Sequence, residues 1–184
     1  MSLDKISSQL SNLVNNKVKQ LPPIESWHPP YCGEINMVVK SNGDWFHEGS
    51  IFKRLSLVKM FASVLWREVD EKRDEYFLVT PVEKVKITVE DVPFVLTQWH
   101  WQDESKTDMV VKTNLDDEFV LNHDHPITIN DQGELYILVR RNLLAKIHRN
   151  VYYQWIDLAE EVETGSNTEL YLSSAGNKFC LGSF

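Results

Sequence analysis

The sequence predicts an α+β fold made of two small units related by duplication, each an antiparallel sheet covered by a helix. Three observations predict it. Short runs of alternating apolar residues are separated by turn residues, as in β-hairpins. A strand–turn–strand–helix pattern occurs twice within 184 residues. Hydrophobic residues make up 42% and charged residues 25% of the chain, which is the balance of a globular protein.

The chain before the first repeat predicts a helix followed by an extended strap. Apolar residues at positions 3, 6, 10, 13 and 14 share one helical face, so we expect a helix over residues 1–20. Two proline pairs in residues 21–31 favour extended backbone, with Trp27 as an anchor. The predicted domains are therefore the helix at 1–20, a strap and first unit at 21–93, and a second unit at 94–184.

The first repeat is predicted from an Asn-Gly turn. Residues 35–40 are typical of a strand, residues 41–44 (Ser-Asn-Gly-Asp) of a tight turn, and residues 45–47 of the returning strand. Asn-Gly between apolar runs is a strong hairpin signal, because both turn residues take positive φ. Apolar residues on one side then predict a helix from about Phe52 to Trp66.

The second repeat follows the same order. Residues 127–129 predict a strand, residues 130–133 (Asn-Asp-Gln-Gly) a turn, and residues 135–139 the returning strand. A narrow apolar stripe predicts a helix from about Asn142 to Ala159. Aligning Gly43 with Gly133 keeps the order of elements, which favours duplication over chance recurrence of a common pattern.

Further strands are predicted after and between the helices. Each helix is followed by two strand-like runs, and two more lie between the units. The predicted runs are residues 76–80, 84–89, 94–101, 109–114, 169–172 and 178–181. Sheets built from hairpins are antiparallel and need a cover over their apolar face.

The composition excludes several classes of function. The net charge is −8, with 27 acidic against 19 basic residues, which argues against general binding to nucleic-acid backbone or to anionic membrane. No run approaches the ~20 apolar residues that span a bilayer, and the start lacks the apolar core of a signal peptide. Cys32 and Cys180 are too far apart for a metal or redox motif, so we expect two buried, reduced thiols in a cytoplasmic protein, with a disulfide as the alternative.

Long stretches of the chain resemble a known bacterial family. The stretches are residues 32–66 (CGEINMVVKSNGDWFHEGS and onward), 76–94, 113–129 and 135–155. They look like the family called domain of unknown function 1285, over about Leu21 to Glu160. The resemblance implies a duplicated core, a C-terminal unit loosely similar to a pleckstrin-homology fold, a ligand cleft between the units and a role in signal transduction. It implies no catalytic residues and no identified cofactor.

A basic cluster is the first candidate site. It consists of Arg140, Arg141, Lys146, His148 and Arg149. In the predicted helix, the first two arginines lie near the start, where the helix dipole favours an anion. Forked guanidinium groups hold phosphate or carboxylate well, so the cluster predicts a small anionic, nucleotide-like ligand. The alternative is a solvated basic face that pairs with acidic residues.

Two further candidates are weaker. His123 and His125 would face one side of a strand, with Asp116 or Asp117 as a third ligand for a divalent metal and a hydrolytic site. The alternative is a loop rich in turn formers. Glu83, beside a proline corner, could serve as a general base if buried, or pair with a nearby Lys or Arg and hold the turn.

Three hypotheses for function therefore stand. The first is a non-enzymatic ligand-binding or signalling module with an anionic ligand between the units. Its contacts would be Arg140, Arg141 and Arg149, with Asn114 and Glu83 as polar orienting residues. The second is a metal-dependent hydrolase. The third is a protein–protein adaptor that uses an exposed sheet edge.

Overall fold

The chain has a two-domain, mostly-sheet fold with few helices. The computed structural model describes residues 21–165 and 167–184, and the helix predicted over residues 1–20 lies outside them. The chain divides into two compact units, with the boundary after Pro93. Each unit is described below by itself.

The N-terminal unit is a six-stranded sheet preceded by the strap. A short 3-10 turn at Ile24–Ser26 lies in the strap. The strands and the helix that follow are β1 Tyr31–Val39, β2 Trp45–His47, β3 Ser50–Ile51, α1 Leu55–Ser63, β4 Leu65–Val69, β5 Asp74–Val79 and β6 Lys84–Val89. The sheet order is β3-β2-β1-β6-β5-β4. Strands β1 and β6 run parallel and the other neighbours antiparallel.

A turn forms between β1 and β2 as predicted, but of the Asn-Gly pair only Gly43 takes positive φ. Gly43 has φ of 86°, a value that costs little only for glycine. The Asp44 amide donates to the side-chain oxygen of Asn42, and the Lys40 amide donates to the Asp44 carbonyl oxygen. The turn therefore sets the register that places Val39 opposite Trp45.

The two faces of this sheet differ. Leu65, Leu78 and Val85 are directly cross-strand and fully buried, and they lie on the core side of the unit. Because side chains alternate along a strand, the intervening residues Trp66 and Lys84 lie on the opposite face. That second face is the one the strap crosses.

The first predicted helix is too long. The structure ends α1 at Ser63, and Leu65 already pairs with Leu78 as part of β4. The apolar run of this segment fits a helical face, but it also fits a strand. Pairing with β5 gives the backbone groups of this segment hydrogen-bond partners, so the segment forms a strand.

The C-terminal unit combines a six-stranded sheet with a three-stranded one. Its elements are β7 Phe94–Trp101, β8 Met109–Thr113, β9 Glu118–Val120, β10 Ile127–Ile129, β11 Leu135–Arg140, β12 Leu143–Ile147, α2 Arg149–Ile156, β13 Glu160–Thr164, β14 Asn167–Ser174 and β15 Asn177–Ser183. The sheet orders are β10-β11-β12-β7-β8-β9 and β13-β14-β15. Strands β12 and β7 run parallel.

The second predicted helix begins too early. Residues 143–147 form β12 instead, with Leu143, Ala145 and Ile147 buried and the two residues between them partly exposed. That alternation has the period of a strand, and pairing with both β11 and β7 satisfies its backbone. His148 caps α2 through its side chain, which accepts from the Asn150 amide at 3.2 Å. Arg140 and Arg141 therefore lie at a hairpin and not at a helix start.

The prediction of purely antiparallel sheets is also wrong. Each six-stranded sheet joins two three-stranded meanders through one parallel pair, formed by the first and sixth strands of the unit. The strand order is the same in both units, as a duplication would leave. The helices differ in place, because α1 lies between the third and fourth strands and α2 follows the sixth. In this order Gly43 and Gly133 occupy different hairpins, and duplication itself stays a prediction.

Candidate functional site

A pocket of about 350 Å³ lies in the N-terminal unit, between the strap and the outer face of the sheet. The strap supplies five of its lining residues and strands β4, β5 and β6 supply four. They are Ile24, Glu25, Trp27, His28 and Pro29 from the strap, and Trp66, Glu68, Val79 and Lys84 from the sheet. We call this the strap pocket.

The strap is held in place by its own turn and by a backbone hydrogen bond to the sheet. Ile24 is 3% exposed and anchors the 3-10 turn, where the Trp27 amide donates to the Ile24 carbonyl oxygen at 3.1 Å. The Lys84 amide donates to the Pro30 carbonyl oxygen at 3.0 Å, which ties the strap to the start of β6. The prolines hold the rest of the strap extended, because their φ is locked. The side of the pocket formed by the strap is therefore held mainly by backbone hydrogen bonds and by the fixed φ of the prolines.

Two indoles give the strap pocket its aromatic lining. Trp66 comes from β4, and Trp27 comes from the strap. Both residues are partly exposed, and both line the open space of the pocket. Indole rings stack on flat ligands and attract cations to their faces.

The polar groups that line the strap pocket include the ion pair between Lys84 and Glu68. The Lys84 ammonium donates to the Glu68 carboxylate and lies 4.1 Å from the centroid of the Phe77 ring. The Lys84 side chain is 21% exposed and that of Glu68 is 43% exposed. The carboxylate is therefore the more accessible member of the pair.

The same sheet face carries a second ionic cluster beside the pocket. The Lys86 ammonium lies 2.7 Å from the Glu75 carboxylate and 3.4 Å from that of Glu34. The hydrogen bond to Glu75 is the main reason that the pKa of Lys86 is raised above its usual value. Each lysine of this face is thus matched by a nearby carboxylate.

The predicted anion contacts lie in the C-terminal unit and have partners within the protein. Arg140 ends β11, pairs with the Asp117 carboxylate and lies 4.6 Å from the centroid of the Phe94 ring. Arg141 occupies the β11–β12 turn with φ of 54°. Their joint role in binding an anion stays a prediction, although the helix start on which it was based is not there.

Arg149 and Asn114 also contact their own unit. Arg149 begins α2, where its Nε donates to the Tyr153 hydroxyl at 3.0 Å. The Asn114 side-chain oxygen accepts from the Val95 amide at 3.0 Å, and the Asn114 amide donates to the Val95 carbonyl oxygen. Asn114 therefore joins the loop after β8 to the start of β7, which is a structural role.

Glu83, the fifth predicted contact, belongs to the N-terminal unit and is 3% exposed. It closes the β5–β6 turn, where the Glu83 amide donates to the Thr80 hydroxyl at 3.1 Å. One of its carboxylate oxygens is buried and has no hydrogen-bond partner within the described residues. The burial that a general base would need is therefore present, while a catalytic or ligand-orienting role stays a prediction, as does the cleft between the units.

The candidate metal ligands are not arranged around one point. The His125 ring stacks on Phe119 with centroids 3.9 Å apart, and its Nδ1 is bonded to the Leu138 carbonyl oxygen. His123 is exposed, and the Asp116 carboxylate lies 3.2 Å from the Lys112 ammonium. Across residues 21–165 and 167–184, no group of three His, Cys, Asp or Glu side chains is placed to hold a metal ion.

Comparison with known proteins gives the family. A model of the DUF1285 N-terminal domain, of unknown function, matches residues 22–92, and a model of the DUF1285 C-terminal domain matches residues 93–181. The chain belongs to the DUF1285 family. No curated protein matches this chain.

Two crystal structures of DUF1285 proteins are similar to the chain. The Silicibacter pomeroyi DSS-3 protein is 31% identical, with a TM-score of 0.76 over 93% of each chain. The Shewanella baltica OS155 protein is 28% identical, with a TM-score of 0.52, covering 66% of this chain and 90% of its own. Within the described residues of this DUF1285 chain, no helix has both the length and the apolar character to cross a membrane.

The sequence indicated the strap side of the pocket but not the side formed by the sheet. The proline pairs around Trp27 indicated an anchored strap. The sequence predicts Trp66 at the end of a helix, and this prediction misses the strand alternation that places Trp66 on the same face as Glu68. Lys84 was correctly placed at the start of a strand, but its pairing depends on register across β4, β5 and β6. Register between strands of different hairpins leaves no local signal in a single sequence.

Proposed function

We propose that this DUF1285 chain is a non-enzymatic ligand-binding or signalling module that holds a small molecule in the strap pocket. The observation that carries the proposal is the pocket itself, about 350 Å³ in volume with two indoles and one ion pair in its lining. Small-molecule sites are typically concave, ~300–1,000 Å³ in volume, and mostly apolar with a few polar groups.

The polar groups of the strap pocket are suited to holding a charge in place. The Lys84 ammonium is bound by Glu68 and lies 4.1 Å from the centroid of the Phe77 ring, so it already has partners inside the protein. The geometry of this pair therefore favours binding without turnover.

The proposal places the ligand differently from the sequence-based hypothesis. The anionic ligand expected from Arg140 would have to displace Asp117 from the guanidinium, at the cost of an internal ion pair. In the strap pocket Trp27 and Trp66 line open space, so a ligand can contact them without displacing an ion pair. The family descriptions name no activity, so the pocket supports the proposal alone.

A thermal-unfolding screen tests this function. Wild-type protein and Trp27→Leu would be compared with organic cations, carboxylates, phosphates and neutral aromatic compounds, with Tyr153→Leu as the matched control. Tyr153 is an exposed aromatic residue of the other unit. A ligand at ~100 times its dissociation constant adds about 2.7 kcal/mol, which raises Tm by about 5 °C or more for a chain of this size.

We expect at least one class of compound to raise Tm in wild type and in Tyr153→Leu but not in Trp27→Leu. The compound should be recovered chemically unchanged after incubation. Shifts that persist in Trp27→Leu, the lack of any shift, or conversion of the compound would each contradict the proposal.

A further inference from the structure

We propose that the ligand of the strap pocket is an organic cation, an alkylated ammonium group that lies against the two indoles. This inference rests on the proposed function and adds the chemical class of the ligand. Three observations support it, namely the aromatic lining, the charge of the lining residues, and the way in which the protein's own Lys84 is already held.

The aromatic lining favours a cation over other small molecules of the same size. Trp27 and Trp66 contribute indole rings from two different segments, the strap and β4. The face of an indole carries negative electrostatic potential, and indole is the side chain that attracts cations most strongly through its face. Two such rings around one space are the arrangement by which proteins recognise quaternary and methylated ammonium groups.

The charges of the residues that line the pocket also favour an organic cation. Two carboxylates, Glu25 and Glu68, line the pocket against one ammonium, that of Lys84. These three side chains together carry one net negative charge, and Lys84 is paired with Glu68. An entering anion would compete with Glu68 for Lys84 and would lie close to two carboxylates. A cation would compete with Lys84 for Glu68, but both carboxylates would attract it.

The protein's own Lys84 is already held by the kinds of contact that are proposed for the ligand. The Lys84 ammonium is held between a carboxylate and an aromatic face, those of Glu68 and Phe77. A ligand ammonium between the indoles and the pocket carboxylates would repeat that arrangement with larger rings. A bare metal ion would gain little from the rings, and the described residues hold no cluster of three metal-binding side chains. The cation is therefore organic.

Calorimetric titration with choline and with its uncharged isostere, 3,3-dimethyl-1-butanol, tests the inference. The two molecules have nearly the same shape and differ by the positive charge. We expect choline to bind at least about tenfold more tightly than the alcohol, since the charge interacts with the indole faces and carboxylates. Benzoate, an aromatic anion, should bind no more tightly than the alcohol.

Two variants with matched controls locate the site. Trp27→Leu and Glu25→Gln should each weaken choline binding by at least about fivefold, because one removes a ring and the other a negative charge. Tyr153→Leu and Glu71→Gln change exposed residues of the same types outside the pocket and should leave the affinity unchanged. Should Trp27→Leu not fold, judged by circular dichroism, Trp27→Tyr keeps a smaller ring and should weaken binding by a smaller factor.

The outcomes separate this inference from the proposed function. Equal affinity for choline and the alcohol, or tighter binding of benzoate, with sensitivity to Trp27→Leu, would overturn the organic cation and leave the strap pocket as a binding site. Choline binding that Trp27→Leu and Glu25→Gln leave unchanged would overturn both. So would the failure of every compound of the screen to bind.

Discussion

In each unit a cationic side chain lies over a phenylalanine ring and pairs with a carboxylate, but the two clusters differ in solvent exposure. In the N-terminal unit Lys84 lies 4.1 Å from the Phe77 centroid and pairs with Glu68. In the C-terminal unit Arg140 lies 4.6 Å from the Phe94 centroid and pairs with Asp117. The exposed fractions are 21% and 43% for the first pair and 13% and 22% for the second.

The greater exposure of the lysine pair indicates which of the two clusters can contact a ligand. The Arg140–Asp117 pair is mostly buried, so the two charges interact with each other and contribute to the packing of the C-terminal unit. The lysine cluster opens onto the strap pocket, where the Glu68 carboxylate remains accessible. Sequence alone favours the arginines, because guanidinium groups are good anion contacts. The structure makes Arg140 an internal partner and leaves the lysine pair at the pocket.

Replacing Arg140 by Met should give the largest effect. The change leaves the partly buried Asp117 carboxylate without its partner and removes the guanidinium from the Phe94 ring. We expect a loss of about 2–4 kcal/mol in the free energy of unfolding, measured by urea denaturation. Arg140→Met with Asp117→Asn should recover part of this loss. An unchanged urea midpoint in the single variant would contradict the structural role of Arg140.

Two tyrosines on corresponding strands of the two units should differ in what their buried hydroxyl groups contribute to stability. The Tyr136 hydroxyl donates to Glu134 at 3.0 Å, so Tyr136→Phe should cost about 1 kcal/mol. The Tyr76 hydroxyl is buried with no hydrogen-bond partner among the described residues, and burial raises its pKa to about 12. Tyr76→Phe should therefore be neutral or stabilising in the same urea measurement. A loss from Tyr76→Phe equal to that from Tyr136→Phe would contradict this assignment.

Replacing Lys84 by Met should have a smaller effect on stability than the arginine change. The pair is more exposed, and such pairs contribute about 0–1 kcal/mol. The same variant removes the positive charge from the strap pocket, so choline should bind at least as tightly as to wild type. Weaker choline binding to Lys84→Met, measured by calorimetry, would contradict the assigned role of Lys84.

The smallest expected effect is on acid sensitivity. The Lys146 ammonium, with Asn130 and Tyr136, holds the pKa of Glu134 below its usual value of 4.5. A lowered folded-state pKa contributes stability above the unfolded pKa, which is lost as pH falls through the folded value. Glu134→Gln should therefore lose less stability than wild type between pH 5 and pH 3, in urea midpoints. Equal losses would contradict the assigned contacts.

Short-range signals predicted much of the fold correctly. The strands β2, β6, β7 and β10 occupy the predicted residues, because alternation and turn residues are local features. Both helices were predicted too long, since a dense apolar run satisfies a helical face and a strand face equally well. In each case the strand formed because neighbouring strands were present to pair with it. The pleckstrin-homology comparison stays a prediction.

The candidate site was less predictable than the fold. The strap pocket needs Trp27 from the strap and Trp66, Glu68 and Lys84 from two non-adjacent strands of the sheet. Their meeting depends on register and on where the strap crosses. The charged residues that stood out in the sequence were those in runs, such as Arg140 and Arg141. A run shows local charge density, but it does not show which carboxylate the fold will bring to it.

The most direct test of the account is an NMR titration of the indole N–H signals with choline. The protein has six tryptophans, and the variants Trp27→Tyr and Trp66→Phe assign the two signals of the strap pocket. The account predicts that these two signals shift in a saturable way, while those of the buried Trp45 and Trp155 stay in place. Saturable shifts confined to the other indoles, or no shift at millimolar choline, would contradict it.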